Sequence, residues 1–144
     1  MRLSTKGRYG VLAMYELARR YGDGPISIKE ISAIQDFSNA YMEQLFSALK
    51  KSGLIKSLRG ARGGYQLSRP PAEITVGQII DALEGPIELA ECVGGPKGFV
   101  CKKSADCVTR GLWMEVQESI RGIIDHRTLA DLLIQSGAVL PVED

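Results

Sequence analysis

All three cysteines of the chain, Cys92, Cys101 and Cys107, fall in one stretch, ECVGGPKGFVCKKSADCVTR, residues 91–110. The stretch has neither the alternation of a strand nor the period of a helix, and Gly94, Gly95 and Gly98 let its backbone turn freely. A cysteine that only fills space is usually found among apolar side chains, so three gathered in a polar loop point to thiolate chemistry. An odd number in a reducing compartment argues against a disulfide framework and for metal ligation or redox sensing. The spacing Cys92-x8-Cys101-x5-Cys107 lacks the paired Cys-x2-Cys knuckles common in structural zinc sites and offers three thiolates rather than four. Thiolates are the usual ligands of iron–sulfur clusters, and a glycine-rich loop can wrap a bulky one.

The rest of the chain must position that loop. With 144 residues, 44% hydrophobic and 24% charged, the composition is that of one soluble domain with a modest core. The start, MRLSTKGRYG, lacks the apolar core of a signal peptide, and no run approaches the roughly 18 apolar residues a bilayer span needs; a cytoplasmic location and no membrane partner are expected. The net charge of +1 hides a partition. Residues 1–70 hold 12 Lys/Arg against 5 Asp/Glu, a surplus of +7, and residues 71–144 hold 6 against 12, a deficit of −6. A basic half is the footprint of a surface that meets nucleic acid; an acidic half would be repelled by it.

The basic half reads as three helices and a hairpin. Ser4 or Thr5 is a candidate cap for a first helix carrying Val11, Leu12, Met14, Tyr15, Leu17 and Ala18 at helical spacing, closed by the GDGP at 22–25. Ser27 with Glu30 three residues on forms a capping-box pattern, and Ile28, Ile31 and Ile34 are expected to face inward. Ser38 caps a third helix that stops at Gly53. The segment LIKSLRGARGGYQLS, 54–68, is a hairpin with Arg59 and Arg62 at its tip. Together these give a winged helix-turn-helix. In such a fold the N-terminal residues of the second motif helix face the major groove, here Ser38, Asn39, Tyr41, Glu43 and Gln44, while the wing arginines suit a narrow minor groove. Gln and Asn pair with adenine, and Glu accepts from the exocyclic amine of cytosine.

The stretches MRLSTKGRYGVLAM, YMEQLFSALKKSGLIKSLRGARGGYQL and ITVGQIIDALEGPI resemble the bacterial winged-helix regulator family that includes IscR, NsrR and CymR. The likeness runs to about residue 133, with RGxxGGY its most specific element. It implies a homodimeric transcription factor on a pseudopalindromic operator in double-stranded DNA, with Tyr41, Glu43, Gln44 and Arg59 as contacts. It also implies three cysteines between a short helix and the dimer helix holding a [2Fe-2S] or [4Fe-4S] cluster, Cys92, Cys101 and Cys107 here. The first gap is longer than is common in the family. One branch places a histidine three residues after the last cysteine, where this chain has Arg110, which cannot ligate. Another uses a first-helix aspartate, where this chain has Arg8. Asp106, Glu91 or an external molecule are left as fourth ligands, and the single histidine, His126, fits a surface or helix-terminus role better.

The expected fold class is mostly α with a small β-hairpin: a winged helix-turn-helix domain plus a long C-terminal dimerisation helix. The divisions are a DNA-binding region at 1–70, a connecting helix at 71–90, the cysteine loop at 91–110, a dimerisation helix region at 111–134 and a tail at 135–144. In the dimerisation region Trp113, Val116, Ile120 and Ile123 alternate by threes and fours into one apolar seam, read as facing a twin chain. A rival within the same family is a cluster-free, CymR-like repressor of cysteine or sulfur metabolism, in which a regulatory protein partner or thiol oxidation controls DNA binding. An enzyme is not expected, for no nucleotide-binding fingerprint or nucleophile–base spacing is legible.

Overall fold

The structure, a computed structural model, describes residues 3–93, 102 and 106–138. Its elements in chain order are α1 Thr5–Arg19, α2 Ile28–Gln35, α3 Asn39–Lys51, β1 Ile55–Leu58, β2 Gly64–Leu67, a 3-10 turn Pro71–Glu73, α4 Val76–Glu84, α5 Arg110–Ile124 and α6 Leu129–Gln135.

The helix starts follow local chemistry. Ser27 Oγ accepts from Glu30 N at 3.1 Å and Ser38 Oγ from Tyr41 N at 3.2 Å, each satisfying a backbone donor that the first helical turn leaves without a partner. The return half of the Ser27 capping box is not made: Glu30 instead takes Arg20 Nη1 at 2.8 Å, tying α2 to the end of α1. Ser4 precedes α1 without a side-chain cap, and its backbone N–H donates to Glu84 Oε1 at 2.9 Å, so a carboxylate from α4 occupies the positive end of α1. Between α2 and α3 the chain turns through Asp36, left-handed at φ 58°, a conformation that a short polar side chain tolerates.

β1 and β2 pair antiparallel from Ile55↔Leu67 to Leu58↔Gly64, and Arg59 to Gly63 form the tip. The hairpin is pinned to the helices by Ile26, which exchanges backbone hydrogen bonds of 2.9 and 2.8 Å with Tyr65. That crossing is tight enough that a Cβ on Gly64 would run into the backbone of Ile26.

One continuous core joins α1, α2, α3, the hairpin, α4 and α6, with Met14, Ile31, Phe46, Ile79, Leu129 and Leu133 fully buried. Each such side chain contributes about 1.5–3 kcal/mol by leaving water. One expectation changes here. Ile34 does not face inward: it is 44% exposed, because α2 is only 8 residues long and Ile31 takes the central core position. In the 111–134 region α5 is followed by a break at Asp125–Thr128, after which α6 turns back into the core. The break is built from paired backbone bonds, Val76 N to Arg127 O at 2.8 Å and Leu129 N to Ile74 O at 3.0 Å. Capping boxes start both helices beside it, Thr75 with Gln78 and Thr128 with Asp131. Hydrogen bonds from Thr128 hold the Asp131 carboxyl below its ordinary range. Among the described residues no helix is long and apolar enough to cross a membrane.

Substituting Gly64→Ala should cost about 1–3 kcal/mol of stability, because the added methyl meets backbone on a strand that cannot shift without breaking the Ile26–Tyr65 pair. Urea denaturation with an unchanged midpoint would show that the wing is not clamped there.

Candidate functional site

Helix α3 buries Met42, Leu45, Phe46 and Leu49 and so turns Asn39, Ala40, Glu43, Gln44 and Ser47 outward on one continuous face. No acidic residue lies in its first turn, and Lys50 and Lys51 end it. The start of α3 therefore presents the positive end of the helix dipole, with Ser38 exposed as its cap. Asn39, Glu43 and Gln44 are exposed donors and acceptors on that face. At the hairpin Lys56, Arg59 and Arg62 are exposed, so the wing tip is cationic and carries no acid between Ile55 and Leu67.

Tyr41 differs from the other residues expected to read bases. Its ring is half-buried, 6.2 Å from Tyr9 edge-on and 5.9 Å from Phe37, and its hydroxyl reaches Thr5 Oγ1 at 3.5 Å. These contacts pack the start of α1 against the start of α3. Thr5, Tyr9 and Phe37 join this site only through folding, and no spacing in the sequence links them.

Of the cysteine set, Cys101 lies outside the described residues. Cys92 and Cys107 are both half-exposed. Cys107 Sγ is 3.3 Å from Thr109 Oγ1, immediately before α5. Cys92 lines a cavity of about 240 Å³ with Arg110, Met114, Gln117 and Glu118 of α5. Arg110 N also donates to Cys107 O at 3.4 Å, so one residue at the head of α5 stands beside both thiol-bearing segments. Among the described residues no three His, Cys, Asp or Glu side chains gather as a metal site. The donor chemistry still fits a thiolate-ligated cluster: the thiols are accessible, soft, and set beside a permanent cation, Arg110. His126 is exposed past the far end of α5, with Nδ1 2.9 Å from Gly122 O. Fifteen residues of helix separate it from Cys107 by roughly 22 Å, beyond the reach of a shared cluster.

The four seam residues divide. Trp113 and Ile123 are 41% and 62% exposed, whereas Val116 and Ile120 are half-buried, Ile120 against the cavity that Leu3 and Ile87 line. α5 has no fully buried residue; Leu112 and Met114 are exposed beside Trp113. What ties it to the body is Arg121, whose guanidinium forks onto Asp81 of α4 at 2.7 and 2.9 Å and onto Asp125. The hydrogen bond to Asp81, with that to Asp125 behind it, raises the Arg121 pKa further above its ordinary value, against the opposing effect of burial.

The sequence model of one family, Rrf2, described as an iron-dependent transcriptional regulator, matches residues 3–135. The chain is 42% identical to the HTH-type transcriptional regulator CymR of Bacillus subtilis over 132 residues, 92% of this chain and 89% of that one. It is 41% identical to the HTH-type transcriptional regulator IscR of Serratia proteamaculans over 144 residues, 100% of this chain and 85% of that one. Among solved structures, CymR, the global cysteine regulator of B. subtilis, superposes with a TM-score of 0.80 at 41% identity, covering 94% of this chain and 98% of that one. T. potens IscR superposes with a TM-score of 0.77 at 42% identity, covering 99% and 94%.

The aromatic cluster makes a prediction. Tyr41→Phe should leave thermal stability near that of the wild type, and Tyr41→Ala should lose roughly 2 kcal/mol as Tyr9 and Phe37 lose a packing face. Equal melting curves for Tyr41→Ala and the wild type would remove the ring from the scaffold.

Proposed function

This chain belongs to the Rrf2 family of transcriptional regulators and is of the IscR/CymR type, not an enzyme; we propose that it works as a homodimer on a pseudopalindromic operator in double-stranded DNA and senses iron–sulfur or redox status through its cysteine loop. The observation that carries the DNA reading is the outward face of α3, polar and free of acid in its first turn, in the same +7 half as the cationic wing. Ser38, Asn39, Tyr41, Glu43 and Gln44 would face the major groove, Ser38 also setting the helix start and Tyr41 also holding the helix in place, and Arg59 and Arg62 would enter flanking minor grooves. Glu43 is the one acid on that face; its repulsion from phosphate lowers affinity everywhere and is offset only at the right base. Dimer formation is supported by α5, whose exposed Trp113 and Ile123 would be covered by a second chain.

Cys92, Cys101 and Cys107 would supply three thiolates to the cluster, which when bound gives the loop one-electron redox chemistry and sensitivity to oxidants. Arg110 keeps a fixed positive charge beside Cys92 and leaves the fourth position to a carboxylate or an external ligand. Arg110 is also what favours a second reading. With no histidine at that position, the loop can act through thiol oxidation or a regulatory protein partner instead, DNA binding being the same in both.

Arg59→Ala should weaken binding to every duplex, whereas Glu43→Ala should relax preference at one base position by about 1–3 kcal/mol, measured by anisotropy on an operator selected from random sequence. Affinity and selectivity that both survive the two changes would remove α3 and the wing from the interface. Anaerobic purification with iron and sulfide analysis separates the two loop readings: a coloured wild-type protein and a colourless Cys92/Cys101/Cys107 triple alanine variant are expected. An iron-free, colourless anaerobic wild type would leave the thiol reading.

A further inference from the structure

Arg8 is used neither by the motif helix nor by the wing. Its side chain is exposed, and its guanidinium carbon lies 5.5 Å from the centroid of the Tyr9 ring. Tyr9 is itself wedged against Phe37, with ring centroids 4.1 Å apart, and stands edge-on to Tyr41 at 6.2 Å. Phe37 immediately precedes the Ser38 cap, and Tyr41 N–H is the donor that this cap satisfies. A run of direct contacts thus leads from Arg8 to the first turn of α3. Among the described residues Arg8 forms no salt bridge, unlike Arg19, Arg20 and Arg121, each of which is engaged by a carboxylate.

An arginine stacked on an aromatic face has part of its rotamer freedom already removed, and its planar donors still point outward. Such a group costs less to order on an anion than a fully solvated arginine does. A helix that enters the major groove is flanked by phosphates, and the element packed beside its first turn lies over that backbone. We propose that Arg8, held over the Tyr9 ring that Phe37 backs, clamps a DNA phosphate beside the first turn of α3, a contact that sets register and affinity without reading sequence. The proposal rests on the DNA-binding reading above and adds α1 to the interface.

The test is a salt titration of the full-length chain, followed by anisotropy, on two duplexes: one selected from random sequence by the wild type and one shuffled to the same base composition. For Arg8→Ala the slope of log affinity against log salt should shrink by about 0.9 per bound chain, with affinity for both duplexes reduced by the same factor. Arg8→Lys should keep the slope because it keeps the charge. Both variants should melt with the wild type, since the side chain is exposed. An unchanged slope in Arg8→Ala, or a loss confined to the selected duplex, overturns the phosphate contact while leaving DNA binding intact. A wild type that binds neither duplex overturns the DNA reading itself, and this contact with it.

Discussion

The close approach of α1 to α4 is the constraint from which the other placements follow. A Cβ on Gly10 would strike the Leu83 side chain, and one on Gly7 would press on the Glu84 carboxylate. Two residues without side chains, one turn apart on α1, let α4 lie against the helix instead of above it. That brings Glu84 to the backbone N–H of Ser4, and the start of α1 is in turn linked to the start of α3 through Thr5 and Tyr41. The end of α4 and the outward face of α3, far apart in sequence, are joined by short contacts through one helix terminus.

This arrangement explains why the basic and acidic halves of the chain are not two domains. Leu129 and Leu133 from the acidic half and Met14 and Phe46 from the basic half belong to one buried cluster. The charge partition is a property of the surface, and packing ignores it. Cations stand outward on α1, α3 and the wing, whereas acids such as Asp81, Glu84 and Asp125 face partners on α5 or α1. A surplus of cations carried at the surface attracts a polyanion without weakening the core.

What could be read from the sequence was what local chemistry decides. Ser27 and Ser38 cap because the residue three positions on supplies a backbone donor, and Gly53 ends α3 at a positive φ of 80°. The hairpin followed from its β-type runs and glycine-rich tip. What could not be read depended on which of several apolar residues the assembled core had room for. Ile34 has the right spacing and is left exposed, while Ile31 fills the space. The packing of Tyr41 against Tyr9 and Phe37 likewise has no signal in sequence spacing. The break after α5 carries a local signal, Thr128 three residues before Asp131. Of the cysteine loop, the thiols and their spacing are legible in the sequence, and the structure adds the neighbourhood of Arg110 to Cys92.

For a signal in the loop to reach DNA, it must act on something that can move. The core cannot serve, because α1, α3, α4 and α6 share fully buried side chains and shift only together. α5 is different: it begins at Arg110 beside the cysteines, buries no residue completely, and is held to α4 chiefly by the fork of Arg121 on Asp81. That pair is partly solvent-exposed, so its net contribution is on the order of 1 kcal/mol or less. Coupling between two sites typically requires about 1–3 kcal/mol of differential stability, comparable to what holds the helix in place. A change of ligands or oxidation state in the loop would therefore need to supply only about that much to reset the angle of α5. In a dimer built on that helix, the resulting change is in the distance between two rigid reading heads, not in either head itself.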